Sequence, residues 1–247
     1  MQQPRTVNAP DTVALLQWLG SDQAVPIADG YQGAAYLYQQ AGQRWIIKTI
    51  PVSRFFSWLY LYMLRREYAV YLQLIGFEGV PICFGLLNGR YLILEYIEGE
   101  SLRSAVFANE AARERFFERL LQLLQALHAR NIVHSDLKKK DNILVTSYEY
   151  PCLIDFGAAI IKRSEWHVVN AYLFYLGRRF DLNAWVKHKY RRVYANVSDV
   201  DRQYLQRTYI ERFTHQLRDP KPWLIPMCRW LLSGFVLGLI AVYLYRN

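Results

Sequence analysis

Cysteine is scarce in this chain of 247 residues: Cys83, Cys152 and Cys228 are odd in number and far apart. None of the paired spacings that build a zinc site or a disulfide framework is present, which excludes both and points to a reduced compartment. The N-terminus MQQPRTVNAPD lacks a basic region followed by an apolar run, so no secretory signal is expected and the body of the chain should face the cytosol. Acidic residues are also few, 21 against 30 Lys and Arg, which leaves a formal charge of +9. No zinc-finger spacing or RNP-like aromatic motif accompanies that charge, so nucleic acid is not expected as a partner. Apolar residues are plentiful: at 53% hydrophobic and 21% charged, the chain can bury one large core or two small lobes, which excludes intrinsic disorder.

The positive charge is uneven. Arg178, Arg179, Lys187, Lys189, Arg191 and Arg192 stand against Asp181 alone. Such a run reads either as a solvated helix face or as a patch that attracts anionic lipid or phosphate.

Long uncharged runs are rare, and one stands out. WLLSGFVLGLIAVYLY, Trp230 to Tyr245, is sixteen residues without a charge. At 1.5 Å per residue it spans roughly 24 Å, a little short of the roughly 30 Å hydrocarbon core. Adding Leu224 to Cys228 would place Arg229 where it could snorkel. Aromatics at both ends and the Gly234–Gly238 spacing favour a membrane-associated helix at the inner, cytoplasmic membrane; a buried C-terminal helix is the other reading. A second apolar stretch, Arg54 to Phe77, is interrupted by Arg65, Arg66 and Glu67 and reads as a long helix. Its first half packs on protein or dips into a bilayer surface.

The order of elements predicts an α+β fold. VPIADG, AAYLYQQ and RWIIKTI alternate and turn like three antiparallel strands. After the helix, VPICFGLLNGRYLILEYI holds two apolar runs split by Asn88-Gly89, a hairpin signal that completes a five-stranded sheet. Beyond Gly99 the pattern turns helical: SLRSAVF, then NEAARERFFERLLQLLQALHARN with Phe116, Leu120, Leu123, Leu124 and Leu127 on one face. Short strands NILV and CLIDF follow, and helix predominates from Trp166. The expected organisation is an N-terminal extension at 1–23, a sheet-rich lobe at 24–97, a reduced helical lobe at 98–220 and an apolar C-terminal helix at 221–247.

Two stretches carry the chemistry. HSDLKKKDNILV, His134 to Val145, sets an Asp, three lysines, an Asp and an Asn in a row; LIDFG ends at Gly157. Together they resemble the catalytic loop and metal-binding motif of the protein kinase-like superfamily, over roughly Ala24 to Val169. That resemblance implies a two-lobed kinase fold, ATP and Mg²⁺ as cofactors and phosphoryl transfer to a hydroxyl. It implies Asp155 and Asn142 as Mg²⁺ ligands, since that ion takes hard oxygens. Asp136 would orient the hydroxyl and accept its proton, and Lys138 would neutralise the transferred group. Lys48, held by Glu67, would contact the phosphates; taken alone it could equally be an edge-strand charge. Gly30 and Gly33 would form a reduced phosphate loop, with the three-glycine pattern absent. Adenine would meet the backbone near Glu95 and Ile97, and Glu100 would reach the ribose. His134 and His128 read as structural, without metal-ligand partners.

Three departures mark the chain. Asn142 follows Asp136 by six residues where the kinase pattern has five, so one of Lys139, Lys140 and Asp141 must bulge, and Asp141 is an alternative metal ligand. Ser135 stands where regulated kinases carry an Arg that pairs with a phosphorylated segment, so activation by that route is not expected. No Ala-Pro-Glu follows Gly157, which removes the platform for an extended peptide. With Arg65-Arg66-Glu67, GFEGVP and the short helices after the motif, the chain resembles the bacterial lipopolysaccharide core kinases of the Kdo and heptose group, and more distantly the Rio-type atypical kinases. That likeness implies a sugar hydroxyl of a membrane glycolipid as acceptor, with anionic lipid as neighbour. A membrane-anchored atypical Ser/Thr protein kinase and a pseudokinase scaffold are the alternatives; retention of Lys48, Asp136 and Asp155 argues against the scaffold.

Overall fold

In a computed structural model, which describes residues 7–30, 33–50, 57–164 and 166–205, the first element is helix α1 (Thr12–Leu19). Asp11 caps it, its Oδ1 accepting from the amides of Val13 at 2.9 Å and Ala14 at 3.4 Å. Strands β1 (Pro26–Gly30), β2 (Gly33–Gln40) and β3 (Gln43–Thr49) follow, then helix α2 (Ser57–Gln73) and strands β4 (Cys83–Leu87) and β5 (Tyr91–Glu95). The five strands form one antiparallel sheet in the order β1-β2-β3-β5-β4. Asn88 and Gly89 both take positive φ, 51° and 68°, the backbone that a tight hairpin between right-twisted strands demands.

Period-two alternation divides the sheet into two apolar faces. Trp45, Ile47, Ile93 and Tyr38 pack with Leu15 and Trp18 of α1, so the N-terminal extension covers one face. Ile46, Ile50, Leu92 and Leu94 face the other way, where Leu64 and Tyr71 of α2, with Leu74 just beyond its end, join the main core. Trp58, at the start of α2, remains 60% exposed.

The second half begins with β6 (Gly99–Ser101), α3 (Glu110–Ala129) and β7 (Ile132–Val133). A 3₁₀ turn (Lys140–Asn142), β8 (Ile143–Thr146) and β9 (Pro151–Leu153) follow. Next come a second 3₁₀ turn (Phe156–Ala158), β10 (Ile160–Ile161), α4 (Val168–Lys189), a third turn (Tyr194–Asn196) and α5 (Asp199–Arg202). β6, β8 and β9 make one small sheet, β7 and β10 another. Asn109 caps α3 through Ala112 N–H at 2.8 Å, and Phe116, Leu120, Leu124 and Leu127 form its buried stripe, as the periodicity predicts. Trp185 of α4 donates its indole N–H to Phe117 O at 2.7 Å, locking α4 onto α3.

The helix expected over SLRSAVF does not form. Ser101 ends β6, and the amides of Ser104 and Ala105 both turn back to its carbonyl at 2.9 Å. The Ser101 hydroxyl accepts from Arg103 N–H and donates to Asp141, local bonds that compete with a helix. No helix among the described residues is long and apolar enough to cross a membrane. The apolar run at 230–245 lies outside the described residues.

Candidate active site

β3 is a central strand, flanked by β2 and β5, so Lys48 is not an edge charge. It shares its face with Ile46 and Ile50, the face that meets α2. There its ammonium donates to Glu67 Oε1 at 2.7 Å and to Asp155 Oδ1 at 2.8 Å. Burial alone would lower the pKa of that ammonium, but the two carboxylates overcome it and hold the pKa well above the ordinary lysine value. Asp155 shows the converse: burial would raise its pKa, yet Lys48 foremost, with His134 and Lys139 behind, holds it below the usual carboxylate range. Glu67 is 5% exposed, and its neighbour Arg66 donates to Ala159 O at 3.2 Å, tying α2 to the chain after the second 3₁₀ turn.

The β8–β9 ladder brings the two motif halves together. Ile143 pairs with Leu153, and Ile154 N–H donates to Asn142 O at 3.0 Å, so Asn142 and Asp155 emerge side by side at the sheet's end. Asp155 itself has φ 64° and ψ 71°, a left-handed backbone that an Asp tolerates better than most residues. The Asn142 amide donates to Asp136 O at 3.0 Å and lies 3.4 Å from Asp136 Oδ2, with its own carbonyl oxygen still available to a cation.

Asp181 positions the loop from below. Fully buried in α4, it accepts from His128 Nε2 at 3.0 Å, from the His134 amide at 2.9 Å and from the Ser135 amide at 2.8 Å. Ser135 has φ 67°, and these bonds hold the strained backbone immediately before Asp136. His134 Nε2 donates to Ile154 O at 2.9 Å, and its ring lies 4.8 Å from Phe156, which meets Tyr71 of α2 at 5.3 Å. A continuous stack thus runs from α4 through the loop to α2, and both histidines serve in it as structural groups.

The sequence reading missed Asp181 by treating it as the lone acid of a basic patch. A signal was present: Phe174, Gly177, Asp181, Ala184 and His188 recur at helical spacing, and all are buried. Gly177 lets α4 approach, since a Cβ there would sit 2.5 Å from Val133 Cγ2 and 2.8 Å from Ser135 Oγ. Nor is the basic run a uniform solvated face, because Lys189 is paired with Asp201 at 2.7 Å and Glu114 at 3.1 Å.

The extra loop residue is absorbed by the 3₁₀ turn at Lys140–Asn142. Asp141 points away from the site and is gripped by Arg103, whose Nη2 lies 2.6 Å from Asp141 Oδ2, while Asn142 is buried against Asp136. Of the two, Asn142 is the residue beside Asp136, and Asp141 is the one turned out to Arg103. Lys139, not assigned from sequence, sits 2.6 Å from Asp136 Oδ2. Its pKa is raised, first by that hydrogen bond. Lys138 lies with its ammonium 5.0 Å from the Phe180 ring centre.

Gly30 and Gly33 close the β1–β2 hairpin as a pair. Gly33 has φ 146°, and a Cβ there would fall 2.2 Å from Thr49 O, so only glycine fits beside the strand that carries Lys48. Glu95 ends β5 with its side chain turned inward, Oε2 accepting from Ile82 N–H at 3.0 Å while its amide donates to Ile82 O at 2.8 Å. Tyr96 to Glu98, including Ile97, form the extended connection to β6, where Glu100 is exposed and pairs with Val145.

Residues 27–176 match the protein kinase domain family. This chain belongs to that family. Its relatives include Serine/threonine-protein kinase D of Synechocystis sp., 38% identical over 71 residues, which are 29% of this chain and 14% of that protein. Serine/threonine-protein kinase PknA of Nostoc sp. is 29% identical over 116 residues, 43% of this chain and 20% of that protein. Human serine/threonine-protein kinase greatwall is 27% identical over 139 residues, 53% of this chain and 16% of its own length. The aligned part thus spans 14–20% of these relatives. The matched domain is an ATP-dependent phosphotransferase domain, with ATP and Mg²⁺ as its cofactors. The donor set suits that ion: Asn142 and Asp155 offer hard oxygens, and Mg²⁺ commonly takes one or two side chains with phosphate oxygens and water.

Proposed function

We propose that this chain transfers the γ-phosphoryl group of ATP to a serine or threonine hydroxyl of a protein. The observation that carries the reading is the Lys48 ammonium set between Glu67 at 2.7 Å and Asp155 at 2.8 Å, a cation already aimed at the place where phosphates must lie. The names of the relatives support a protein acceptor.

ATP with Mg²⁺ supplies the electrophilic phosphoryl group and the cationic charge that neutralises it. Lys48 contacts the phosphates, and Glu67 fixes the direction of its side chain. Asn142 and Asp155 hold the metal. Asp136 orients the hydroxyl and takes its proton, while the Asn142 amide and Lys139 keep its carboxylate in place. Lys138 and Lys139 line the path of the transferred group. The backbone at Glu95 and Ile97 receives adenine, Glu100 faces the ribose, and the Gly30–Gly33 hairpin covers the phosphates.

A second reading takes a sugar hydroxyl of a membrane glycolipid as acceptor, as in lipopolysaccharide core kinases. One observation favours it: α4 begins at Val168, so little chain lies between Asp155 and that helix to form a bed for a peptide. The apolar run at 230–245 supports a place at the cytoplasmic face of the inner membrane, beside anionic lipid. Incubating the protein with labelled ATP and either a protein extract or a total-lipid extract separates the two acceptors. Label in protein, lost in Asp155→Ala, is the expected result; label confined to lipid overturns the protein acceptor, and label in neither removes the enzyme.

A further inference from the structure

Beside the catalytic loop opens a cavity of about 440 Å³, whose wall includes Arg103, Glu110, Arg113, Lys140, His188 and Arg191. Its charge is one-sided. Four cations face Glu110, and even when Asp141, the partner of Arg103, is counted with it, the balance is four against two. Two of the cations are committed: Arg103 to Asp141, and Arg113 to Glu110 at 2.8 Å and to His188 O at 3.1 Å. Lys140 has no ion-pair partner among the described residues, and Arg191 reaches Glu110 only at 3.7 Å. Burial pushes the pKa of His188 down, aided by the charge of Lys140, so its imidazole stays neutral and adds no further cation to the wall.

The cavity is built into the transfer site. His188 Nε2 donates to Leu137 O at 2.8 Å, and Leu137 follows Asp136 directly. Lys140 comes four residues after Asp136, which limits their separation to about 14 Å. An extended peptide advances about 3.3 Å per residue, so a peptide with its hydroxyl at Asp136 reaches the cavity within about four residues.

We propose that this pocket selects protein substrates that carry an acidic group, carboxylate or phosphate, within about four residues of the acceptor hydroxyl, with Lys140 and Arg191 as the groups that bind it. The inference rests on the protein-acceptor reading above. An open pocket in which cations outnumber acids, with Lys140 free of any ion-pair partner among the described residues, favours an anion and rejects a basic side chain by like-charge repulsion, so it sets specificity as well as affinity.

The test uses the full chain and sets of serine peptides in which one position, up to four residues either side of the serine, is Glu, phosphoserine, Ala or Lys. At the position that reaches the pocket, kcat/KM is expected to be about tenfold higher for Glu than for Ala and lowest for Lys, the size of one charge-assisted contact. Phosphoserine above Glu assigns the pocket to phosphorylated substrates, and the reverse order to carboxylates. In Lys140→Glu with Arg191→Glu the order should invert toward Lys. Both side chains are exposed; the single variants, each with a reduced preference, serve if the pair does not fold. Equal kcat/KM for Glu and Ala at every position overturns the pocket and leaves the protein-kinase reading standing. Transfer to no peptide, with label entering a lipid extract, overturns both.

Discussion

Lys48 and Asp155 are 107 residues apart in sequence and 2.8 Å apart in the fold. The contact closes a triad with Glu67, and its electrostatics have a pH signature. Asp155 has a lowered pKa, so its contribution to stability is complete above the ordinary carboxylate value and is lost only as pH falls through the lowered one. Lys48 has a raised pKa, so its contribution is complete below the ordinary ammonium value and is lost only as pH rises through the raised one. Between those limits the triad stays intact. Lys48→Met removes the charge that depresses Asp155, so the folded protein no longer binds that proton more weakly than the unfolded chain does, and the acid limb of Tm against pH should become shallower. Superimposable acid limbs for the two proteins would show that the ion pair does not set this titration. The same variant should lower kcat/KM by about a hundredfold or more through lost phosphate contact.

Asp181 holds two amides of the catalytic loop and one imidazole without touching substrate. Asp181→Ala should cost about 2–4 kcal/mol by leaving those donors buried and unpaired. Denaturant unfolding measures that cost. Because the loop also carries Asp136, kcat should fall while KM for ATP stays near its original value, as ATP contacts lie on the sheet side. Asp181→Asn, which keeps one acceptor oxygen, should recover part of the stability; identical loss in both variants would count against the hydrogen-bonding role.

The one-residue insertion makes a ranked prediction. Asn142→Ala should raise the Mg²⁺ concentration needed for half-maximal rate far more than Asp141→Ala does, since Asn142 is buried against Asp136 and Asp141 is turned out to Arg103. Lys139→Ala should reduce kcat more than Lys138→Ala, because Lys139 is the lysine 2.6 Å from Asp136. Titrating Mg²⁺ against initial rate for the four variants decides both rankings. A reversed order for either pair would mean that the loop is shifted by one position when nucleotide is bound.

Gly33 and Gly177 are places where a single methyl group meets protein. Gly33→Ala drives a Cβ against Thr49 O at 2.2 Å, next to Lys48, and should raise KM for ATP by about tenfold while the core stays folded. Gly177→Ala pushes α4 away from Val133 and Ser135 and should destabilise the protein by about 1–3 kcal/mol. Thermal melts with and without MgATP separate the two: ligand-induced stabilisation is lost in the first and kept in the second.

The sequence by itself determined what local physics can encode. Period-two alternation and Asn88-Gly89 predicted the five strands; the apolar stripe around Phe116 predicted α3; the resemblance of two stretches to kinase motifs pointed to Lys48, Glu67 and Asp155, which the fold brings into contact. These signals survive because each depends on neighbours within a turn, a strand or a motif. Tertiary structure decided the rest. Which residue absorbs the insertion depended on Arg103 capturing Asp141 from across the chain, and which lysine meets Asp136 depended on that turn. The role of Asp181 depended on α4 returning beneath the loop, and the helix expected at Ser101–Phe107 gave way to hydrogen bonds with a residue forty positions later. Contacts of this kind join residues far apart in sequence, where no periodicity links them, and only the packed core brings them within hydrogen-bonding distance.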